Sequence, residues 1–387
     1  MAHTNTMLAQ LLKLVSRHEF EVLANRHHEG QRLRKISRWG QFVALLVGQL
    51  SGRSSLRDII DNVRVQKHKM YHCGVGQVSR SSLARVNERQ PWTLYQDLFG
   101  KLLSKCRNYS PAHTFRFKNP LYSMDASTID LSLSVFPWAD FRKKKGAIKI
   151  HVGLDHKGLI PAFMTVTEGN CQDIQEARKI DLPRGSILAV DRGYNDYKWF
   201  SSLENKGIFF VTRLKNKTRY KVLSRALVDR SSGISSDQMI DLTSKKGVGY
   251  RGNLRRIGYY CLETQKQYYF LTNNTKLCAK TIAAIYKDRW QIELFFKSLK
   301  QQLKVKSFLG TSKNALLSQL WIALIAYLML SYLKFRSKFQ WSVYTLMEIL
   351  PVNIFSRRFI WDWLNDPFHQ KSGTKPPANL QLKFNCV

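Results

Sequence analysis

The chain has 387 residues, of which 44% are hydrophobic and 12% aromatic, which is enough apolar material for two or three packed domains and excludes a disordered tail protein. Lys and Arg number 62 against 27 Asp and Glu, a net charge of +35. Such an excess repels itself unless a polyanion neutralises it, so nucleic acid is the expected partner, with a phospholipid surface the lesser alternative.

Residues 1–110 read as a basic helical domain that binds DNA ends. Apolar positions recur at helical spacing over 7–14 and 42–50, and Ser51-Gly52-Arg53-Ser54-Ser55 forms a turn that caps a helix starting near Leu56. A short helix after Ser79 carries Arg80, Arg85 and Arg89. Two short helices about a Gly/Ser turn fit a helix-turn-helix reader, and a plain helical scaffold fits nearly as well. The six cysteines form no C-x-x-C pair and no signal peptide precedes them, which reads as reduced thiols in the cytoplasm.

The pattern changes after the 111–120 linker. Strands are expected over 121–132, 147–154 and 159–167, a helix over 173–180, a strand over 186–190, a helix over 195–205 and a strand over 208–214. Three strands in hairpin succession, then helix, strand, helix and strand, give a mixed α/β sheet in the order of the ribonuclease H-like fold. Its first part spans 111–215. Residues 216–275 break this rhythm with alternating runs over 255–262 and 268–273, and read as a β-rich insertion. The second part of the core follows over 276–340, and 341–387 forms a C-terminal helical segment and tail. Residues 315–333 hold no charge and could span a bilayer, but Ser318, Gln319 and Ser331 interrupt them and no second span accompanies them. A buried core helix is expected there, with no membrane contact.

Tyr286, Arg289, Glu293 and Lys300 stand at offsets of three, seven and fourteen from the tyrosine. On one continuous helix they fall within a stripe about 60° wide, so a phenol, a guanidinium, a carboxylate and an ammonium share a face. Trp290, Ile292, Leu294, Phe295 and Phe296 on the same segment predict a largely buried helix, where charge persists only with a use. Asp125 lies inside an apolar strand and Asp191 ends a compact one. An aspartate inside such a strand is costly unless paired or bound to metal. With Glu293, three carboxylates from separate elements can converge on two magnesium ions, about 3.5–4 Å apart, for in-line attack at phosphorus. Asp130 points to the other face of its strand and Asp155 reads as a turn residue, so both fit less well.

At these residues the chain resembles the DDE transposases of bacterial insertion sequences, best the insertion-sequence-4 type with its Y-x2-R-x3-E-x6-K signature. The blocks Met124-Asp125-Ala126-Ser127-Thr128 and Val190-Asp191-Arg192-Gly193-Tyr194 are similar to the family's first and second catalytic motifs. The resemblance implies that Asp125, Asp191 and Glu293 hold two Mg2+ ions, with Mn2+ as a substitute. It also implies that Tyr286, Arg289 and Lys300, with Arg192 and Trp290, contact DNA near the cleaved end. The implied partners are double-stranded DNA, as terminal inverted repeats and as target, and a second copy of the chain in a homodimer. The implied location is the bacterial cytoplasm, beside the nucleoid. Relatives that cut through a hairpin stack a flipped base on a tryptophan in the insertion. No Trp lies between Trp199 and Trp290 here, leaving Tyr250, Tyr259 or Tyr268 as the expected platform. A silent DNA-binding derivative and a structure-selective nuclease on the same fold are the alternatives.

Overall fold

The computed structural model describes residues 5–142, 145–243, 250, 252–301 and 308–368. Its centre is a mixed sheet built from β1 (Leu121–Leu131), β2 (Asp140–Arg142), β3 (Lys145–Asp155), β4 (Ile160–Glu168), β5 (Ile187–Val190) and β6 (Phe209–Arg213). Antiparallel pairing joins β4 to β3 and β3 to β1, and parallel pairing joins β1 to β5 and β5 to β6, giving the order β4-β3-β1-β5-β6. The short β2 pairs with the start of β3. The Ile-Leu-Ala-Val run of β5 is apolar throughout because both its faces are covered. On one face Trp199, Phe200 and Leu203 of the Tyr197–Asn205 helix meet Met124, Leu188, Val190 and Phe210. On the other, Ile282, Ala283 and Ile285 of the Ala279–Asp288 helix meet Leu121, Ile187, Ala189 and Val211.

The stretch expected as an insertion supplies β7 (Tyr220–Arg225), β8 (Ile234–Leu242), β9 (Leu254–Cys261) and β10 (Lys266–Thr272). These strands prolong the central sheet: β10 pairs antiparallel with β6, and β9, β8 and β7 follow in turn. Alternation along a strand reports which face is buried but not which strand lies beside it, so this continuity is not visible in the local pattern.

Seven helices precede the sheet among the described residues, from Met7–Leu12 to Thr93–Arg107. Ser16, Ser37, Ser55 and Ser79 each accept a hydrogen bond from the N–H three residues on, so serine caps set four of the helix starts. The expected start at Leu56 is one of them. On the Arg80–Arg89 helix, Leu83 and Val86 turn inward while Arg80, Arg85 and Arg89 are exposed. These helices pack around the Lys313–Arg336 helix, whose apolar window is 94% buried inside the protein. Trp92 stacks on Trp321, and Cys106 Sγ donates to the Leu328 carbonyl. Length and composition would let this helix cross a bilayer; it is the centre of a core instead. Ile150, Val152, Ile160 and Met164 of β3 and β4 belong to that same core, so the N-terminal helices and the sheet share one continuous apolar interior.

Candidate active site

Strand register brings the two aspartates together. Parallel pairing of β1 with β5 ends at Met124 opposite Val190, so Asp125 and Asp191 are the next residue along each strand. They stand where adjacent parallel strands finish pairing, at the carboxyl edge of the sheet, a usual position for a binding crevice. Leu121, Ser123 and Asp125 follow the two-residue period of β1, and all face the side that carries the Ala279–Asp288 helix.

The signature segment departs from one straight helix. It runs as Ala279–Asp288 and Gln291–Gln301, with Arg289 and Trp290 at the join. Trp290 N–H donates to the Lys287 carbonyl, Ile292 N–H to Arg289 and Glu293 N–H to Trp290, three-residue bonds that tighten the turn. Burial is also less complete than the apolar count suggests. Ile292, Phe295, Phe296 and Leu299 are buried, but Trp290 is 56% and Leu294 44% exposed.

The join turns Arg289 into the site. Its Nη2 donates a 2.8 Å hydrogen bond to Glu293 Oε1, and its Nη1 lies 3.6 Å from Asp125 Oδ2. The Tyr286 hydroxyl donates to Asp191 Oδ1 at 3.1 Å, and the Arg289 guanidinium sits 5.5 Å from the Tyr286 ring. One arginine and one tyrosine thus tie the three carboxylates together. Arg289 is only 8% exposed, and its Nε and Nη1 make no hydrogen bond. Tyr286 and Arg289, expected from sequence to grip phosphates, are here bonded to acids. Lys300 Nζ donates to the Thr128 carbonyl on β1, while Arg192 and Trp290 are exposed beside the site.

Electrostatics separate the acids. Burial pushes the Asp125 carboxyl up to about 6; the Ala126 N–H and Arg289 oppose this, and the charges of Asp191 and Glu293 add to it. Burial would also raise Asp191, but N–H groups of Arg192 and Gly193, the Arg289 charge and the Tyr286 hydroxyl together leave it below its usual value. Burial chiefly raises the Tyr286 phenol, to about 12, so it remains a donor at neutral pH.

Among the described residues no group of three or more His, Cys, Asp or Glu side chains is drawn close enough to hold a metal ion as it stands. The donor set nonetheless fits a hard divalent cation: three carboxylates, all oxygen, two on adjacent strands and one in the first turn of a helix. Burial holds the Asp125 carboxyl high, repulsion from Asp191 and Glu293 adds to this, and the Arg289 charge partly relieves it.

Of the tyrosines expected as a stacking platform, Tyr250 is buried against Phe210. Tyr259 and Tyr268 pair across β9 and β10 and are half-buried, with Arg213 over the Tyr268 ring. Tyr260 and Tyr269, which the sequence reading did not single out, are 41% and 38% exposed on the opposite face, with the Arg256 guanidinium 3.9 Å over the Tyr269 ring. The one-residue offset within each Tyr-Tyr pair was the available signal.

A family model described as the transposase DDE domain matches residues 116–329, more than half the chain. The chain is a DDE transposase. It is 30% identical over 282 residues to y4zB of Sinorhizobium fredii, named as a transposase, across 72% of this chain and 78% of that one. It is 26% identical over 292 residues to a protein of Geobacillus stearothermophilus named as the transposase of insertion sequence element IS5377, across 75% and 76% of the two chains. A Synechocystis protein named for element IS4SA is 25% identical over 197 residues, 48% of this chain and 53% of its own. The transposase is therefore one of bacterial insertion sequences, acts on DNA, and has the type of domain that works with divalent metal. Residues 3–76 match a second model, a domain of unknown function (DUF4372).

The raised Asp125 carboxyl makes stability of the metal-free transposase depend on pH. In the unfolded chain this group titrates near about 4, and in the fold near about 6. Between these values the folded state binds the extra proton, so stability falls as pH rises through that window, by about 3 kcal/mol in all. Asp125→Asn removes the penalty. In chelator it is expected to melt several degrees above the parent at neutral pH and level with it near pH 4, as calorimetry can check.

Proposed function

We propose that this transposase is of the insertion-sequence-4 type, binds the terminal inverted repeats of its element as a homodimer, cleaves there and joins the 3′ ends to target DNA. The observation that carries this reading is the register that sets Asp125 beside Asp191, with Glu293 bound to the arginine that faces Asp125. The strand order β4-β3-β1-β5-β6 supports a ribonuclease H-like core, with 111–215 and 276–340 as its two parts and 216–275 as the β-rich insertion; the C-terminal segment read over 341–387 lies outside the described residues from 369 on.

Asp125, Asp191 and Glu293 would hold two Mg2+ ions, or Mn2+ in their place, which when bound supply Lewis acidity to the attacking and leaving oxygens. Water attacks the end phosphodiester and releases a 3′-hydroxyl. That hydroxyl then attacks a target phosphodiester, displacing the target strand's own 3′ oxygen. The chain's residues orient these events. Tyr286 and Arg289 hold the carboxylates in mutual register, while exposed Arg192 and Trp290, with Lys300 at the far end of the signature, reach the DNA beside them. The exposed Arg80, Arg85 and Arg89 support end recognition by residues 1–110. The partner being DNA, the working location is the cytoplasm beside the nucleoid.

Incubating the full chain and Mg2+ with duplexes carrying the inverted repeats that flank its gene tests this. Cutting at the ends and joining to a plasmid are expected; binding without cutting, or cutting without preference for the ends, would count against it. Affinity should also collapse with salt. If 6–10 phosphates are contacted, binding weakens by about 10³–10⁵ between 50 and 200 mM salt. Paired Arg80→Ala and Arg85→Ala changes should reduce end preference. They suit this test better than deleting residues 1–110, which would strip the cover from the Lys313–Arg336 helix.

A further inference from the structure

Three residues that no motif singled out form a hydrogen-bonded chain directly behind the site. Ser123 Oγ and His156 Nε2 are 2.6 Å apart, and His156 Nδ1 and Asp288 Oδ2 are 2.7 Å apart. Each comes from a different element. Ser123 lies on β1 two residues before Asp125, His156 opens the turn from β3 to β4, and Asp288 ends the helix immediately before Arg289. The backbone N–H of His156 also donates to the Leu121 carbonyl at 2.9 Å, fixing the ring against the same strand.

The roles follow from chemistry. A carboxylate only accepts, so Nδ1–H donates to Asp288 and, in the neutral ring, Nε2 accepts from the Ser123 hydroxyl. This order of groups is that of a serine nucleophile and its base, but Ser123 is fully buried and His156 is 4% exposed, so no substrate reaches the hydroxyl. An acid at Asp288 is also misplaced for its own helix, because the C-terminal end carries the negative pole. His156 satisfies it there. Asp288 is the last residue before the break that turns Arg289 toward Asp125 and Glu293.

We propose that Ser123, His156 and Asp288 form a strut, buried at Ser123 and His156 and reaching solvent at Asp288, that ties the end of the Ala279–Asp288 helix to β1 and so positions Arg289, Asp125 and Glu293 relative to one another. They are positioning residues, and the inference rests on the reading of the carboxylates as the metal-holding set. Without the strut the helix end slides against β1, and the acids lose the spacing that binds a cation.

The test uses the full chain and two readouts. Mn2+ binding to the protein alone is followed by electron paramagnetic resonance, and single-turnover end cleavage is followed across a Mg2+ titration, with gel shifts for DNA affinity. Asp288→Ala should weaken Mn2+ binding and slow cleavage, each by about 10- to 100-fold, while end affinity stays at the parent value. Asp288→Asn keeps an oxygen that accepts from Nδ1–H and should recover most of both. A folded Asp288→Ala protein with parental Mn2+ binding and cleavage overturns the strut, as does an Asp288→Asn protein no better than Asp288→Ala. If Asp288→Ala does not fold, Ser123→Ala, which deletes one hydroxyl, is held to the same losses and the same overturning result. Asp125→Asn runs beside them. If it is inactive while Asp288→Ala is normal, the strut alone fails. If it cuts normally, the reading of the site fails and the strut falls with it.

Discussion

Asp125→Asn, Asp191→Asn and Glu293→Gln are each expected to abolish cleavage and joining while leaving binding to the element ends nearly intact. Each exchange keeps the side chain's volume and removes one negative oxygen from the three carboxylates proposed to hold metal. A metal ion lost from such a set withdraws several kcal/mol of transition-state stabilisation, a rate loss on the order of 10³-fold or more. DNA affinity depends instead on an excess of 35 positive charges over the whole surface, which none of these changes reduces. Cleavage assays in Mg2+ beside gel shifts separate the two properties. Near-parental cutting by any one variant would remove that residue from the set. Asp125→Asn should show a second signature, since the variant that cannot cut should be the more stable one without metal.

Leu324→Asp is expected to leave no cooperatively folded protein at room temperature. Leu324 is fully buried at the middle of the Lys313–Arg336 helix, inside the interior that the N-terminal helices and the sheet share. An unpaired carboxylate there loses the leucine's apolar contacts and its own hydration together, a change well beyond about 4 kcal/mol. Leu324→Ala should fold and lose about 2–5 kcal/mol, the usual cost of a buried leucine cavity. Denaturant unfolding followed by circular dichroism reads both. Parental unfolding of Leu324→Asp would mean that this helix does not bury its middle.

What the sequence made legible was the local part of this molecule. Alternation marked β1, β3 and β4 to within a residue or two, Ser55 announced the helix that begins at Leu56, and the uncharged run at 315–333 was correctly read as core. Asp125 and Asp191 could be picked out because an acid in or against an apolar strand needs a reason. Relations between distant segments were not legible. Nothing in 266–272 says that this strand lies against β6, and the spacing of Tyr286, Arg289 and Glu293 does not disclose a break at Arg289 and Trp290. The residue type of Arg289 suggested a phosphate; the break also sets it against two carboxylates, which the spacing did not disclose. Ser123, His156 and Asp288 were invisible because each is ordinary in its own segment, and only the fold brings them within hydrogen-bonding distance.

The buried helix that anchors both halves of the molecule also governs how such proteins can be recombined. An N-terminal helical layer with its own closed interior could be exchanged between relatives, giving one element's scissors another's address. Here the layer is one wall of an interior whose opposite wall is the outer strands and the Lys313–Arg336 helix, the latter more than two hundred residues away in sequence. A graft that brings new N-terminal helices must therefore bring a helix that fits beneath them. If those helices recognise the element ends, as proposed, lineages of such elements should change their DNA address by surface substitutions on the exposed arginine-bearing face rather than by swapping the layer whole.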